Sequence, residues 1–219
     1  MKYIFLFISA MILFSCDQSV NTPSKIQDLH GDFNGDQFPD RASALGDRMT
    51  VDLNNKIGGF DSFVWIVSNE WGSPGWTVVG DFDGDGDDDI ASPSGTKLYL
   101  KNSFRTGFSS HLYLTSDQYS SSAGWTFACD YNGDGVDDII SIEKDKICIL
   151  QPQIVSAGKI DTFSTHFHFT VDQWSKNPKD TWIEDTNGDG RDEILTAIGD
   201  AIYIREWDGK NFLLRPKTN

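Results

Sequence analysis

Cysteine, positive charge and long apolar runs are all scarce in this 219-residue chain. Three cysteines cannot make a disulfide scaffold, so the fold has to rest on a packed core. Lys and Arg number 18 against 33 Asp and Glu, a formal net charge of −15. That balance argues against nucleic acid as a partner, because affinity for phosphate backbones comes largely from Lys and Arg. No run has the length of a membrane-spanning helix. No Gly-x-Ser-x-Gly elbow, phosphate-cradling loop or His-Glu zinc motif is present, and no stretch shows a convincing helical period. What is present is enough apolar and aromatic material, 38% and 13%, for a core of one domain or at most two small ones.

The N-terminus reads as an address. Lys2 precedes an apolar run from Ile4 to Phe14, which has the length of a signal-peptide core rather than of a span. It ends in Leu13-Phe14-Ser15-Cys16, which resembles the bacterial lipobox. The resemblance implies a signal peptide over 1–15, lipidation of Cys16, and a polar tether over 16–25. It places the protein on the extracytoplasmic side of a bacterial cell envelope, at the outer membrane or cell surface. An ordinary secretory signal cut nearby, or an uncleaved anchor, is the alternative.

The rest of the chain is one unit written four times, and repeats of this period decide the fold. Asp32-Phe-Asn34-Gly-Asp36-Gln-Phe-Pro-Asp40 aligns with Asp81-Phe-Asp83-Gly-Asp85-Gly-Asp87-Asp-Asp89. Asp130-Tyr-Asn132-Gly-Asp134-Gly-Val136-Asp-Asp138 and Asp185-Thr-Asn187-Gly-Asp189-Gly-Arg191-Asp-Glu193 complete the set. The first aspartates are 49, 49 and 55 residues apart. Ten residues beyond each loop come Thr50, Tyr99, Cys148 and Tyr203, each flanked by apolar residues, the period-two mark of a half-buried strand. Trp76, Trp125 and Trp182 precede the later loops, and the connections Asn69-Glu70-Trp71, Asp117-Gln118-Tyr119 and Asp172-Gln173-Trp174 align as well.

Gly, Ser, Asn and Pro divide each unit into four short strands, in the second roughly Trp76–Phe82, Asp89–Ser92, Lys97–Lys101 and His111–Thr115. A four-stranded unit of about 40–50 residues repeated around an axis is a β-propeller blade. The expected fold is therefore all-β, a propeller of four blades over 26–219. A fragment of a larger propeller completed by another chain, or an open stack, is the rival.

The loops carry the chemistry. They hold 3, 6, 4 and 4 acidic side chains, half of the chain's total, and such crowding repels unless something neutralises it. Oxygen ligands at loop positions 1, 3, 5 and 9 suit a hard cation such as Ca²⁺, and the absence of soft ligands argues against Zn²⁺ or Cu²⁺. Glycine at positions 4 and 6 allows a tight wrap at positive φ. An EF-hand is excluded: its twelfth position needs a bidentate Glu, and here it is Ser43, Ser92, Ser141 and Thr196.

The four loops resemble the FG-GAP/VCBS repeat family, in integrin-α-like propellers, whose blades carry an Asp-x-Asp/Asn-x-Asp-Gly-x-x-Asp calcium loop. The resemblance implies side-chain ligands from positions 1, 3, 5 and 9 and a carbonyl from position 7. Those are Asp81, Asp83, Asp85 and Asp89 with the Asp87 carbonyl; Asp130, Asn132, Asp134 and Asp138 with that of Val136; and Asp185, Asn187, Asp189 and Glu193 with that of Arg191. The first loop offers Asp32, Asn34, Asp36 and Asp40, with Gln37 in place of the second glycine. Three to four Ca²⁺ ions are implied.

The remaining candidates are weaker. Trp71, Tyr119 and Trp174 sit in polar connections and could stack on sugars or plug neighbouring blades. His166 and His168 share a strand face with the pattern of a metal pair, but their counterparts Phe63/Trp65 and His111/Tyr113 favour aromatic filling. Cys129 and Cys148 read as small core residues. The expected function is a non-enzymatic binding or adhesion module, lipid-anchored, with a protein or glycan ligand. A polysaccharide-cleaving or other hydrolytic enzyme on the same scaffold, or a passive envelope component, is the alternative.

Overall fold

Each repeat folds into one antiparallel sheet of four strands, joined in simple up-and-down order. The computed structural model describes residues 25–67, 70–72, 74–105, 107–115, 122–156 and 158–217. The first sheet contains β1 (Lys25–Gly31), β2 (Asp40–Leu45), β3 (Arg48–Asn54) and β4 (Phe60–Ile66). The second contains β5 (Val78–Gly80), β6 (Asp89–Ser94), β7 (Lys97–Phe104) and β8 (Gly107–Leu114). β9 (Thr126–Cys129), β10 (Asp138–Glu143), β11 (Lys146–Ser156) and β12 (Lys159–Phe169) form the third. β13 (Thr181–Glu184), β14 (Glu193–Ile198), β15 (Ala201–Trp207) and β16 (Phe212–Pro216) form the fourth. The proposed signal peptide, Cys16 and most of the tether lie outside the described residues.

Burial explains why each strand has its composition. Five successive residues of β6 and five of β10 are buried, so these strands are covered on both faces, with Asp89 and Ser92, and Asp138 and Ser141, as their buried polar members. The outermost strand β4 is almost wholly exposed. Three apolar clusters lie between successive sheets rather than within any one of them. Met49 and Val51 of the first sheet meet Ile90 of the second; Phe82, Leu98 and Leu100 of the second meet Ile139, Leu150 and Phe163 of the third. Ile140, Ile147 and Ile149 of the third meet Ile194 and Phe212 of the fourth. The first strands β1, β5, β9 and β13 lie side by side in that order, with no comparable contact between β13 and β1 among the described residues.

Some expected boundaries move. Trp76 belongs to a 3₁₀ turn over Pro74–Trp76, not to a strand, because Pro74 has no N–H for a ladder. The β7–β8 hairpin runs on past the expected ends, to a tight turn after Phe104, where Ser103 pairs with Phe108. The six extra residues of the third repeat lengthen the β11–β12 hairpin, with register shifts near its tip. Cys129 on β9 and Cys148 on β11 are separated by β10, and both are buried free thiols. Three of the position-12 residues that exclude an EF-hand instead tie their second strand to a hydroxyl at the start of the first strand or just before it. Thr77 pairs with Ser92, Thr126 with Ser141 and Thr181 with Thr196, hydroxyl to hydroxyl at 2.9, 3.1 and 3.2 Å.

Candidate functional site

The acidic loops join each first strand to its second. Positions 4 and 6 do adopt positive φ: 73° and 90° at Gly84 and Gly86, against 68° at Gln37, where the first loop has no glycine. The position-1 carboxylate is the hub of each turn. Asp81 accepts the N–H groups of Gly84, Asp85 and Gly86, and Asp130 those of Gly133, Asp134 and Gly135. The same bonds from Gly188 and Gly190 hold the Asp185 carboxyl below the usual range. Position 5 accepts from position 7, as Asp85 does from Asp87, Asp134 from Val136 and Asp189 from Arg191.

Position 9 is buried in all four loops, and there the loops part company. In the second, Asp81, Asp83 and Asp89 bring carboxylate oxygens within 4.8 Å of one another. Asp89 takes the Ser103 N–H on Oδ1, while its buried Oδ2 has no hydrogen-bond partner. Desolvation, reinforced by the Asp83 charge, pushes its pKa up to about 9, and desolvation raises Asp83 to about 6. In the fourth loop Asp185, Asp189 and Glu193 also converge, but both Glu193 oxygens are taken, Oε2 by the Thr186 N–H and hydroxyl and Oε1 by Asn187 Nδ2. In the third, Asn132 Nδ2 donates to Asp138 Oδ2 at 3.2 Å, and desolvation pushes Asp138 to about 9. The first loop is already satisfied: Asp40 accepts from Phe33 N–H and Asn54 N–H, and Lys56 sits 3.3 Å from Asp36. An orphaned buried carboxylate oxygen facing two further carboxylates is what a hard cation completes, so the residues of the second loop fit Ca²⁺.

Position 8 has a role that sequence reasoning missed. The Asp32 N–H donates to Asp88 Oδ2 of the next sheet at 2.6 Å, and the Asp88 N–H returns a bond to the Asp32 carbonyl. Asp81 with Asp137, and Asp130 with Asp192, repeat this two-way clamp. Burial between sheets raises all three carboxyls, Asp137 to about 7. The signal in the sequence was a fixed Asp next to the ninth position in three loops, replaced by Pro39 in the first.

The connection aromatics are staples between sheets. Trp71 donates its indole N–H to the Gly46 carbonyl of the first sheet's β2–β3 turn, and the buried Lys101 ammonium lies 4.7 Å from its ring. Trp174 donates to the Lys144 carbonyl of the corresponding turn in the third sheet, with the buried Arg205 guanidinium 3.4 Å from its ring centroid. Tyr119 lies outside the described residues. His168 packs against Trp207 and Phe212 of the fourth sheet, while His166 bonds to Ser164. His168 is thus aromatic filling, as its counterparts suggested, whereas His166 is exposed and makes no ring contact among the described residues.

Trp174 also walls a cavity of about 350 Å³ that it shares with Trp125, Glu143, Lys144, Asp172 and Lys176. The two indoles meet edge to face at 6.2 Å and 75°. Lys144 stands at φ 55°, in a turn whose counterparts are Gly46, Gly95 and Gly199 at 63°, 58° and 60°. A side chain in that conformation is strained, and strain of this kind concentrates at functional sites. Of the cavity's residues, only Trp174 had been singled out as a ligand platform; the chemistry of the others appears once the third and fourth repeats pack.

No protein-family model matches the sequence, and no curated protein matches it. Solved structures with a similar fold include a lectin of Agrocybe aegerita described as recognising non-reducing terminal N-acetylglucosamine. It has a TM-score of 0.64 at 18% identity, and the match covers 85% of this chain and 50% of that one. A Tc holotoxin pore of Photorhabdus luminescens has a TM-score of 0.60 at 16% identity, over 86% of this chain and 9% of that one. This chain therefore spans about half of the lectin and a small part of the toxin.

Proposed function

We propose that the four sheets are blades of a calcium-stabilised β-propeller module of the FG-GAP/VCBS type that binds carbohydrate without transforming it. The observation that carries the sugar reading is the Trp125–Trp174 cavity. Its indoles offer apolar surface for the C–H face of a pyranose, and Glu143, Asp172, Lys144 and Lys176 offer charged partners for hydroxyls at the rim. Likeness to a sugar-binding lectin supports the same reading. Calcium enters through the second and fourth loops, held by Asp81, Asp83 and Asp89 and by Asp185, Asp189 and Glu193. When bound in the second loop, it supplies charge neutralisation that lets the buried Asp83 and Asp89 stay ionised at the junction of first and second strands. The lipobox reading adds a lipid anchor at Cys16 in the cell envelope.

The test is a glycan-array screen followed by calorimetric titration of the best sugar. Asp172→Asn and Lys176→Met change exposed rim groups, so the fold should survive them. Weakening of at least about tenfold in both, with unchanged melting, supports the site. Unchanged affinity in both removes it.

A further inference from the structure

The three junctions between sheets are built alike, each from an outgoing and a receiving face. The outgoing face presents a small residue before the loop (Gly31, Gly80 or Cys129) and an aromatic at loop position 2 (Phe33, Phe82 or Tyr131). It adds a ring from the outermost strand, Trp65, Tyr113 or His168. The receiving face presents a position-8 aspartate, a buried isoleucine (Ile90, Ile139 or Ile194) and a phenyl ring (Phe108, Phe163 or Phe212). Phe33 and Trp65 meet Phe108, Tyr113 meets Phe163, and Tyr131 and His168 meet Phe212. The small residue is required by contact: a Cβ on Gly80 would come within 2.3 Å of an Asp137 oxygen and 3.0 Å of the Ala128 Cβ.

The two ends of the array depart from this pattern in opposite senses. On the outgoing face of the fourth sheet the same positions are Glu184, Thr186 and Lys217, and Glu184 and Asp185 are exposed. On the receiving face of the first sheet, position 8 is Pro39, which has neither carboxylate nor N–H for a clamp. The isoleucine is replaced by exposed Arg41, whose guanidinium lies 4.3 Å from the Phe60 ring, and the residue matching Ala128 is exposed His30. A carboxylate end and a cationic end thus stand at matching register, both open to solvent in the single chain.

We propose that a second copy of this chain docks end to end, with Glu184 of one copy against His30 and Arg41 of the other. Polar ends by themselves only keep an open array soluble; opposite charge at matched positions selects a partner. A head-to-tail contact of this kind closes when two copies complete the turn, with two equal junctions. The junction lacks the aromatic grip of the internal three, so it is salt-sensitive and reversible. The proposal does not depend on calcium or sugar binding.

The test uses full-length chains carrying Glu184→Cys or His30→Cys. The Gly80–Ala128 spacing puts the corresponding side chains of a docked pair close to the Cβ separation of about 3.5–4.5 Å that a disulfide needs. A disulfide-linked dimer in the mixture, absent from wild type and from either variant alone, is expected. A compact cross-linked monomer in the double variant without the mixed dimer would show closure within one chain and overturn the proposal, as would no cross-link. Differently tagged, co-expressed chains supply a second readout. Arg41→Glu chains and Glu184→Arg chains should each fail to co-purify with their own kind yet co-purify with one another; indifference to these charges overturns the proposal.

Discussion

Replacing Asp89 by asparagine should stabilise the metal-free protein and abolish its response to calcium at the second loop. Asp89 is fully buried, one oxygen has no partner, and burial beside the Asp83 charge raises the carboxyl to about 9 from an ordinary 3.8. At pH 7 the unfolded chain carries it ionised, whereas the metal-free fold must protonate it. Protonation about three pH units above the unfolded value costs about 4 kcal/mol. Asparagine avoids that cost, keeps an oxygen for the Ser103 N–H, and points an amide donor toward Asp83. Desolvating the amide takes back about 1–2 kcal/mol, leaving a net gain of about 2–3 kcal/mol. In a chain of this length that is a rise of about 5–10 °C in melting temperature. The assay is a pair of thermal melts, in chelator and in calcium. Wild type should gain stability from calcium and the variant far less, so the order of the two proteins inverts between buffers. Asp89→Asn melting below wild type in chelator would refute the reasoning.

The pH dependence of the metal-free protein follows the same sign. Folded-state values near 9 for Asp89 and Asp138 lie above the unfolded 3.8, so their contribution is fully present below about pH 4 and is lost as pH rises toward 9. Denaturant melts in chelator should therefore weaken across that window, and calcium should remove the Asp89 share of the slope; rising stability in chelator counts against it. Asp137→Ala removes one clamp to Asp81 and should destabilise by about 1–3 kcal/mol in urea titration, with or without calcium. An effect confined to calcium buffer would make Asp137 a metal ligand instead. Lys144→Gly should relieve left-handed strain, worth about 1 kcal/mol or about 2–4 °C, while weakening sugar binding at the cavity. A loss of stability on that change would mean that the lysine side chain holds the turn.

The repeat was legible because its marks are local. Turn residues, period-two apolar sets and acids at fixed offsets all act within about a dozen residues, so they show in one dimension. Loop glycines at positive φ and the four strands per repeat were readable in this way. Trp76 was misplaced because a proline two residues earlier decides its conformation. Trp71 and Trp174 left two readings open, since a staple and a platform look the same until the partner carbonyls of Gly46 and Lys144 are in view.

By itself, then, the sequence determined that the chain is all-β, that it repeats four times, and which carboxylates share each loop. Only tertiary structure decided which of those carboxylates converge. The backbone and Lys56 quench the first loop, Asn132 occupies Asp138 in the third, Thr186 and Asn187 occupy Glu193 in the fourth, and the second leaves a buried oxygen of Asp89 unmatched. It also separated position 8 from its acidic neighbours. Asp88, Asp137 and Asp192 bond to the preceding sheet, about fifty to sixty residues away in sequence. Identical residue types acquire different work because desolvation and the partners at hand, rather than spacing, set the free energy of each charge.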